Sequence, residues 1–146
     1  MLRLVPKTVS RLSRLSSTQS DPKKMAQSCT ILCVDDEPSV LTTLKALLES
    51  AGFRVLVAES GPEALALFQS ERVDLVIMDY VMPGMNGMAA ARTMKTIKPL
   101  VPIVFLSAFR ELPNETLGLA EWWVMKGEHE PESLLDLLRR TIQRAA

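Results

Sequence analysis

Val73-Asp74-Leu75-Val76-Ile77-Met78-Asp79-Tyr80-Val81-Met82-Pro83-Gly84-Met85-Asn86-Gly87 is the stretch that decides the fold. Its first six residues are apolar nearly throughout, the pattern of a central parallel strand buried on both faces. The run stops at Asp79. Pro83 to Gly87 are turn residues, and a helical pattern follows from about Gly87 to Lys98. The same grammar recurs in both directions along the chain. Asp35-Asp36 follows the apolar run Ile31–Val34, Ser107 follows Ile103–Leu106, and Lys126 follows Trp122–Met125. If the four runs are parallel strands of one sheet, all four polar signals lie at the strands' carboxyl ends. In open α/β sheets that edge is where ligands bind.

The rest of the chain supplies the intervening elements. Thr30–Val34 reads as a buried strand. Pro38 suits the first turn of a helix, and Val40, Leu41, Leu44, Leu47 and Leu48 give that helix an apolar face. Gly52 ends it. Phe53–Ala58 is expected to be the second strand. Ser60 is placed to cap the next helix, with Pro62 in its first turn and Ala64, Leu65, Leu67 and Phe68 facing inward. Pro99 and Pro102 bound a break before the strand Ile103–Leu106. A short helix is expected over Leu112–Ala120, then a strand over Glu121–Met125. A closing amphipathic helix is expected over Pro131–Arg144. Five strands alternating with five helices give an α/β, doubly wound, five-stranded parallel sheet covered on both faces.

The charge balance narrows the function. Net charge is zero over 146 residues, but residues 1–24 carry six Lys or Arg against Asp21 alone, a net +5. The remaining residues carry eleven basic and sixteen acidic side chains, a net −5. An acidic body argues against a general nucleic-acid surface, and no apolar stretch is long enough for a membrane span. Residues 1–28 are rich in Ser, Arg and Lys. They read as a disordered tail or as an extension upstream of a true start at Met25, in preference to an organelle transit peptide. The folded domain is expected over residues 29–146. Cys29 and Cys33 lie four residues apart on one extended segment, badly placed to bond each other. Free thiols in a reducing cytoplasm are the expectation.

Three carboxylates, a hydroxyl and an ammonium converging on one sheet edge form a set able to hold a divalent metal and receive a phosphoryl group. Each residue alone has an ordinary structural reading. Asp-Asp before a helix can be a cap favoured by the helix dipole, and Asp79 near Pro-Gly can be a turn residue. The case rests on their joint occurrence at successive strand ends.

Val-Asp-Asp-Glu-Pro (34–38), Ser-Gly-Pro-Glu-Ala-Leu (60–65), the stretch 74–87, Leu-Ser-Ala (106–108) and a late strand ending in Lys126 occur together and in order. In this the chain resembles the receiver domain of two-component response regulators. The resemblance implies a flavodoxin-like strand order 2-1-3-4-5. It also implies that Asp79 is the phosphoacceptor, and that Asp35, Asp36, Asp79 and the main-chain carbonyl of Val81 hold Mg²⁺. Lys126 and Ser107 would meet the phosphoryl group, and Ser107 with the aromatic at Trp123 would form the switch. Val81 and Phe109 occupy the positions that tune phosphate lifetime; both are apolar, and slow self-dephosphorylation is expected. The implied partners are a sensor histidine kinase or histidine phosphotransfer protein and a downstream protein, with neither nucleic acid nor membrane contacted directly. The expected role is a stand-alone cytoplasmic switch that is phosphorylated but turns over no separate substrate.

The chain departs from the family pattern at three places. Gly127 follows Lys126 where Pro is usual, Trp123 stands where Tyr or Phe is usual, and the stretch between Ser107 and Lys126 is short. The Gly127 and Trp123 departures favour one alternative, a pseudo-receiver that binds partners without taking phosphate, while the short stretch compresses the fourth helix. A small phosphatase with an Asp nucleophile is the other, and it would need a second acid/base residue and a substrate cap.

Overall fold

The computed structural model describes residues 29–80, 82, 87–108, 118–127 and 130–145. Within them the elements run β1 (Thr30–Val34), α1 (Pro38–Ser50), β2 (Arg54–Ala58), α2 (Gly61–Ser70), β3 (Leu75–Met78), α3 (Gly87–Ile97), β4 (Ile103–Ser107), β5 (Trp122–Met125) and α4 (Pro131–Ala145). The five strands form one sheet in the order β2-β1-β3-β4-β5, and every neighbouring pair is parallel. The α/β, doubly wound, five-stranded sheet is therefore present in the flavodoxin-like order. The sequence-based bounds of β2, β3 and β5 each started one or two residues early, at Phe53, Val73 and Glu121. Of the helix expected at Leu112–Ala120, residues 112–117 lie outside the described residues. Gly118 and Leu119 form a turn.

Alternation along each strand sorts the core into two layers. Ile31, Cys33, Leu75, Ile77, Val104, Leu106 and Val124 pack with Leu41, Leu44 and Leu48 of α1 and with Leu134, Leu135, Leu137 and Leu138 of α4. Leu32, Val34, Val76, Met78, Ile103 and Phe105 pack on the opposite face with Ala64 and Phe68 of α2 and Ala90, Ala91 and Met94 of α3. β1, β3 and β4 are buried along their whole length, which is why they read as continuous apolar runs. Each fully buried large aliphatic or aromatic side chain contributes roughly 1.5–3 kcal/mol. Trp122 packs with the first layer and Trp123 with the second, as adjacent residues on one strand must.

Local chemistry sets where the helices start. Ser60 Oγ accepts a hydrogen bond from the Glu63 N–H at 3.2 Å, capping α2, and Pro62 sits in its first turn. α1 begins at Pro38 without a side-chain cap from Glu37. The strand order reverses between β1 and β3: α1 carries the chain outward to β2, and α2 brings it back past β1 to β3. A crevice opens at such a switch point, outside the carboxyl ends of the two central strands. Asp35, Asp36 and Asp79 stand there.

Candidate functional site

Backbone hydrogen bonds continue the sheet one residue past its strands and bring the four polar signals side by side. The Asp35 N–H donates to Ala58 O (3.1 Å), the Asp79 N–H to Val34 O (2.9 Å), and the Lys126 N–H to Ser107 O (2.8 Å). These bonds fix the roots of the side chains, so the site inherits the rigidity of the sheet. Ser107 ends β4 and is buried. Its neighbours are β3, which leads into Asp79, and β5, which leads into Lys126.

One carboxylate oxygen from each of Asp35, Asp36 and Asp79 lies within 4.8 Å of the other two. Asp35 and Asp79 are nearly sealed from solvent, with side chains 2% and 8% exposed, while Asp36 is more open. Buried like charges at this separation repel strongly. Lys126 offsets part of that charge. Its Nζ stands 2.8 Å from Asp35 Oδ2, 3.4 Å from Asp79 Oδ2 and 3.5 Å from Glu37 Oε1. Burial alone would lower the pKa of this ammonium. The hydrogen bond to Asp35 and the charges of Asp79 and Asp35 outweigh burial, and the net shift is upward.

Three converging carboxylates with a mostly oxygen environment fit a hard divalent cation such as Mg²⁺, which takes few carboxylates and fills its remaining positions with water and phosphate oxygens. The geometry of the three aspartates passes that test on its own terms. The main-chain carbonyl of Val81 and the side chain of Phe109, both singled out in the sequence, lie outside the described residues. Ala108, beside Ser107, is small and exposed.

The sequence reading left two residues of this site without a role. Glu37 forms the third ion pair of Lys126, and its backbone N–H donates to Asp35 Oδ1 at 2.9 Å. An acidic residue immediately after Asp35-Asp36, at a helix start on the ligand-binding edge, was the available signal. Gly87 opens α3 against the backbone of β3's end: its N–H donates to Tyr80 O at 2.5 Å. A Cβ there would collide with the Asp79 carbonyl oxygen and stand 2.8 Å from Tyr80 Cα. Only glycine lets α3 approach the phosphoacceptor candidate this closely.

Gly127 adopts φ +76°, so the turn after Lys126 uses the left-handed conformation glycine tolerates. Lys126 reaches Asp35 and Asp79 without the usual proline behind it. Trp123 lies opposite Phe105 in the β4–β5 register, and Tyr80 meets Phe105 edge-on at 5.9 Å. The indole Nε1 of Trp123 is buried, with no hydrogen-bond partner among the described residues. A separate cleft of about 170 Å³ lies at the amino ends of β4 and β5, lined in part by Leu100, Pro102, Trp122 and Arg144. Asp35, Asp36 and Asp79 do not line it.

No helix among the described residues is long and apolar enough to cross a membrane. Residues 31–120 match the family model described as the response regulator receiver domain. Protein PilH of Pseudomonas aeruginosa is 42% identical over 90 residues, covering 60% of this chain and 74% of that protein. The DNA-binding response regulator MtrA of Mycolicibacterium smegmatis is 37% identical over 117 residues, 78% of this chain and 50% of MtrA. This chain spans 37% of the transcriptional regulatory protein PhoP of Bacillus subtilis. Among solved structures, a CheY-like receiver domain protein from Methanospirillum hungatei superposes with a TM-score of 0.76 at 26% identity, covering 80% of this chain and 95% of that one. The response regulator TrrA of Thermotoga maritima, solved in complex with Mg²⁺-BeF, superposes with a TM-score of 0.68 at 31% identity, covering 77% and 98%. With the strand order, the switch-point carboxylates and the strand-end lysine all in place, the chain belongs to the response regulator receiver domain family.

Proposed function

We propose that this chain is a phosphorylation-dependent switch of a two-component relay, taking a phosphoryl group on Asp79 from a phosphohistidine of a sensor kinase or phosphotransfer protein. The observation that carries the reading is the meeting of Asp35, Asp36 and Asp79 within 4.8 Å beside the ammonium of Lys126. In the reaction a carboxylate oxygen of Asp79 forms a bond to phosphorus, the phosphorus–nitrogen bond of the donor breaks, and the imidazole nitrogen takes a proton. Asp35, Asp36 and Asp79, with the Val81 carbonyl, would hold Mg²⁺, which would supply charge neutralisation between the carboxylates and the phosphoryl oxygens. Lys126 gives a point charge to one phosphoryl oxygen, and the Ser107 hydroxyl donates to another.

Burial of Asp79 keeps water from the acyl phosphate, and apolar Val81 and Phe109 cannot orient a water for attack. The modification is then long-lived, and no separate substrate is turned over. Trp123, whose indole N–H has no partner among the described residues, is the aromatic expected to repack when Ser107 is drawn toward the phosphoryl group. The output is a changed surface read by a downstream protein in the cytoplasm.

Beryllofluoride with Mg²⁺ imitates an aspartyl phosphate and tests this reading. One equivalent should bind the wild type and change Trp fluorescence, and Asp79→Asn should bind none. Failure of the wild type to bind, with the fold intact, would favour a pseudo-receiver that acts unmodified.

A further inference from the structure

Both oxygens of the Asp35 carboxylate are occupied. Oδ1 accepts the Glu37 N–H at 2.9 Å, and Oδ2 holds the Lys126 ammonium at 2.8 Å. Asp35 is also the most buried of the three clustered aspartates. A divalent cation joining this cluster therefore meets another cation on the same carboxylate, and like charges at that range repel. The root of Lys126 cannot retreat, because its N–H is tied to Ser107 O. Its head can. Glu37 Oε1 is already 3.5 Å from Nζ, and the Glu37 side chain is 61% exposed, so a move that way takes the ammonium toward water.

We infer that Glu37 is a positioning residue that parks Lys126: the ammonium yields Asp35 Oδ2 to an entering divalent cation and moves onto Glu37, within reach of Asp79. The inference rests on the reading of the three aspartates as a metal site. Glu37 then lowers the cost of loading the site without itself touching the ion, and it keeps the lysine close until a phosphoryl oxygen needs it. A Glu37 that is merely an extra nearby negative charge would aid a cation by through-space attraction alone. That attraction is small for an exposed group and does not depend on Lys126.

The test is a double-mutant cycle on Mg²⁺ affinity by titration calorimetry, using wild type, Glu37→Gln, Lys126→Met and the double variant. Glu37→Gln should weaken Mg²⁺ binding about fivefold to tenfold when Lys126 is present, and about twofold or less when Lys126 is Met. Equal weakening in both backgrounds overturns the parking role and leaves the metal site standing. Absence of Mg²⁺ binding by the wild type overturns both. If Lys126→Met does not fold, reductive carbon-13 methylation of the lysines gives a second readout. Mg²⁺ should shift the Lys126 resonance in the wild type more than in Glu37→Gln, and an equal shift in both rejects the proposal.

Discussion

Replacing Lys126 by Met removes the one cation found, among the described residues, at the carboxylates, while keeping an apolar stem of similar length. At 2.8 Å from Asp35 and 3.4 Å from Asp79, the gross attraction to either partner is about 5–6 kcal/mol at an effective dielectric near 20. Desolvating the ammonium, on a side chain that is 19% exposed, offsets much of that. What remains is the penalty of leaving Asp35 and Asp79 buried and mutually repelling. Removing one partner of a buried pair costs about 3–5 kcal/mol, and the partial exposure of this pair reduces the figure to about 2–3 kcal/mol. With a urea slope typical of small domains, the unfolding midpoint should fall by about 1–2 M in EDTA. In excess Mg²⁺ a bound cation takes over the neutralisation, so most of the loss should disappear. Equal midpoints for wild type and variant in EDTA would refute the argument. So would a deficit that Mg²⁺ leaves unchanged.

Three further outcomes follow from other parts of the molecule. Gly87→Ala forces a methyl group against the Asp79 carbonyl and Tyr80 Cα; it should cost about 1–3 kcal/mol by urea unfolding and weaken Mg²⁺ binding, and a neutral effect on both would contradict the close approach. Lys98 Nζ donates to Phe68 O (2.7 Å) and Glu71 O (3.2 Å) at the end of α2 and lies 5.0 Å from the Phe68 ring centroid. Lys98→Met should therefore destabilise the fold by about 1–2 kcal/mol with Mg²⁺ affinity unchanged, as urea unfolding and calorimetry would show. Burial pushes the Cys33 thiol from 9.0 up to about 12. Above pH 9 the unfolded chain loses this proton and the folded one keeps it, so stability is full below that pH and declines toward pH 12 by at most about 1.4 kcal/mol per unit. Denaturant unfolding of Cys33→Ala should show a flatter decline than wild type above pH 9. Identical slopes would place the thiol in a wetter site.

Much of the fold was legible because its local signals agree with its global arrangement. β1, β3 and β4 are flanked by strands on both edges and by helices on both faces, so their residues are apolar without alternation and their limits stand out. Ser60 capping α2 through Glu63, and Pro38 and Pro62 in first turns, are decided within a few residues of sequence. The site was legible for a related reason: a polar residue ending a buried strand must lie at one edge of the sheet, and parallel pairing makes that the same edge for Asp35, Asp79, Ser107 and Lys126. The early starts given to β2, β3 and β5 reflect Phe53, Val73 and Glu121, which lead into the strands without belonging to their ladders. What stayed hidden depends on contacts between residues far apart in sequence. Nothing local to Glu37 says that Lys126 will reach it, and Gly87 reads as a turn glycine until α3 is seen against the backbone of Asp79. The burial of the Trp123 indole N–H depends likewise on packing across β4 and β5.

The central claim is that Asp79 accepts a phosphoryl group in a metal-dependent way. Intact mass after incubation with acetyl phosphate and Mg²⁺ tests it most directly, for wild type and Asp79→Asn. The account predicts one added phosphoryl group on the wild type, none on Asp79→Asn, and none on either in EDTA. An unmodified wild type that nevertheless binds Mg²⁺ would contradict it, as would equal modification of the Asp79→Asn variant.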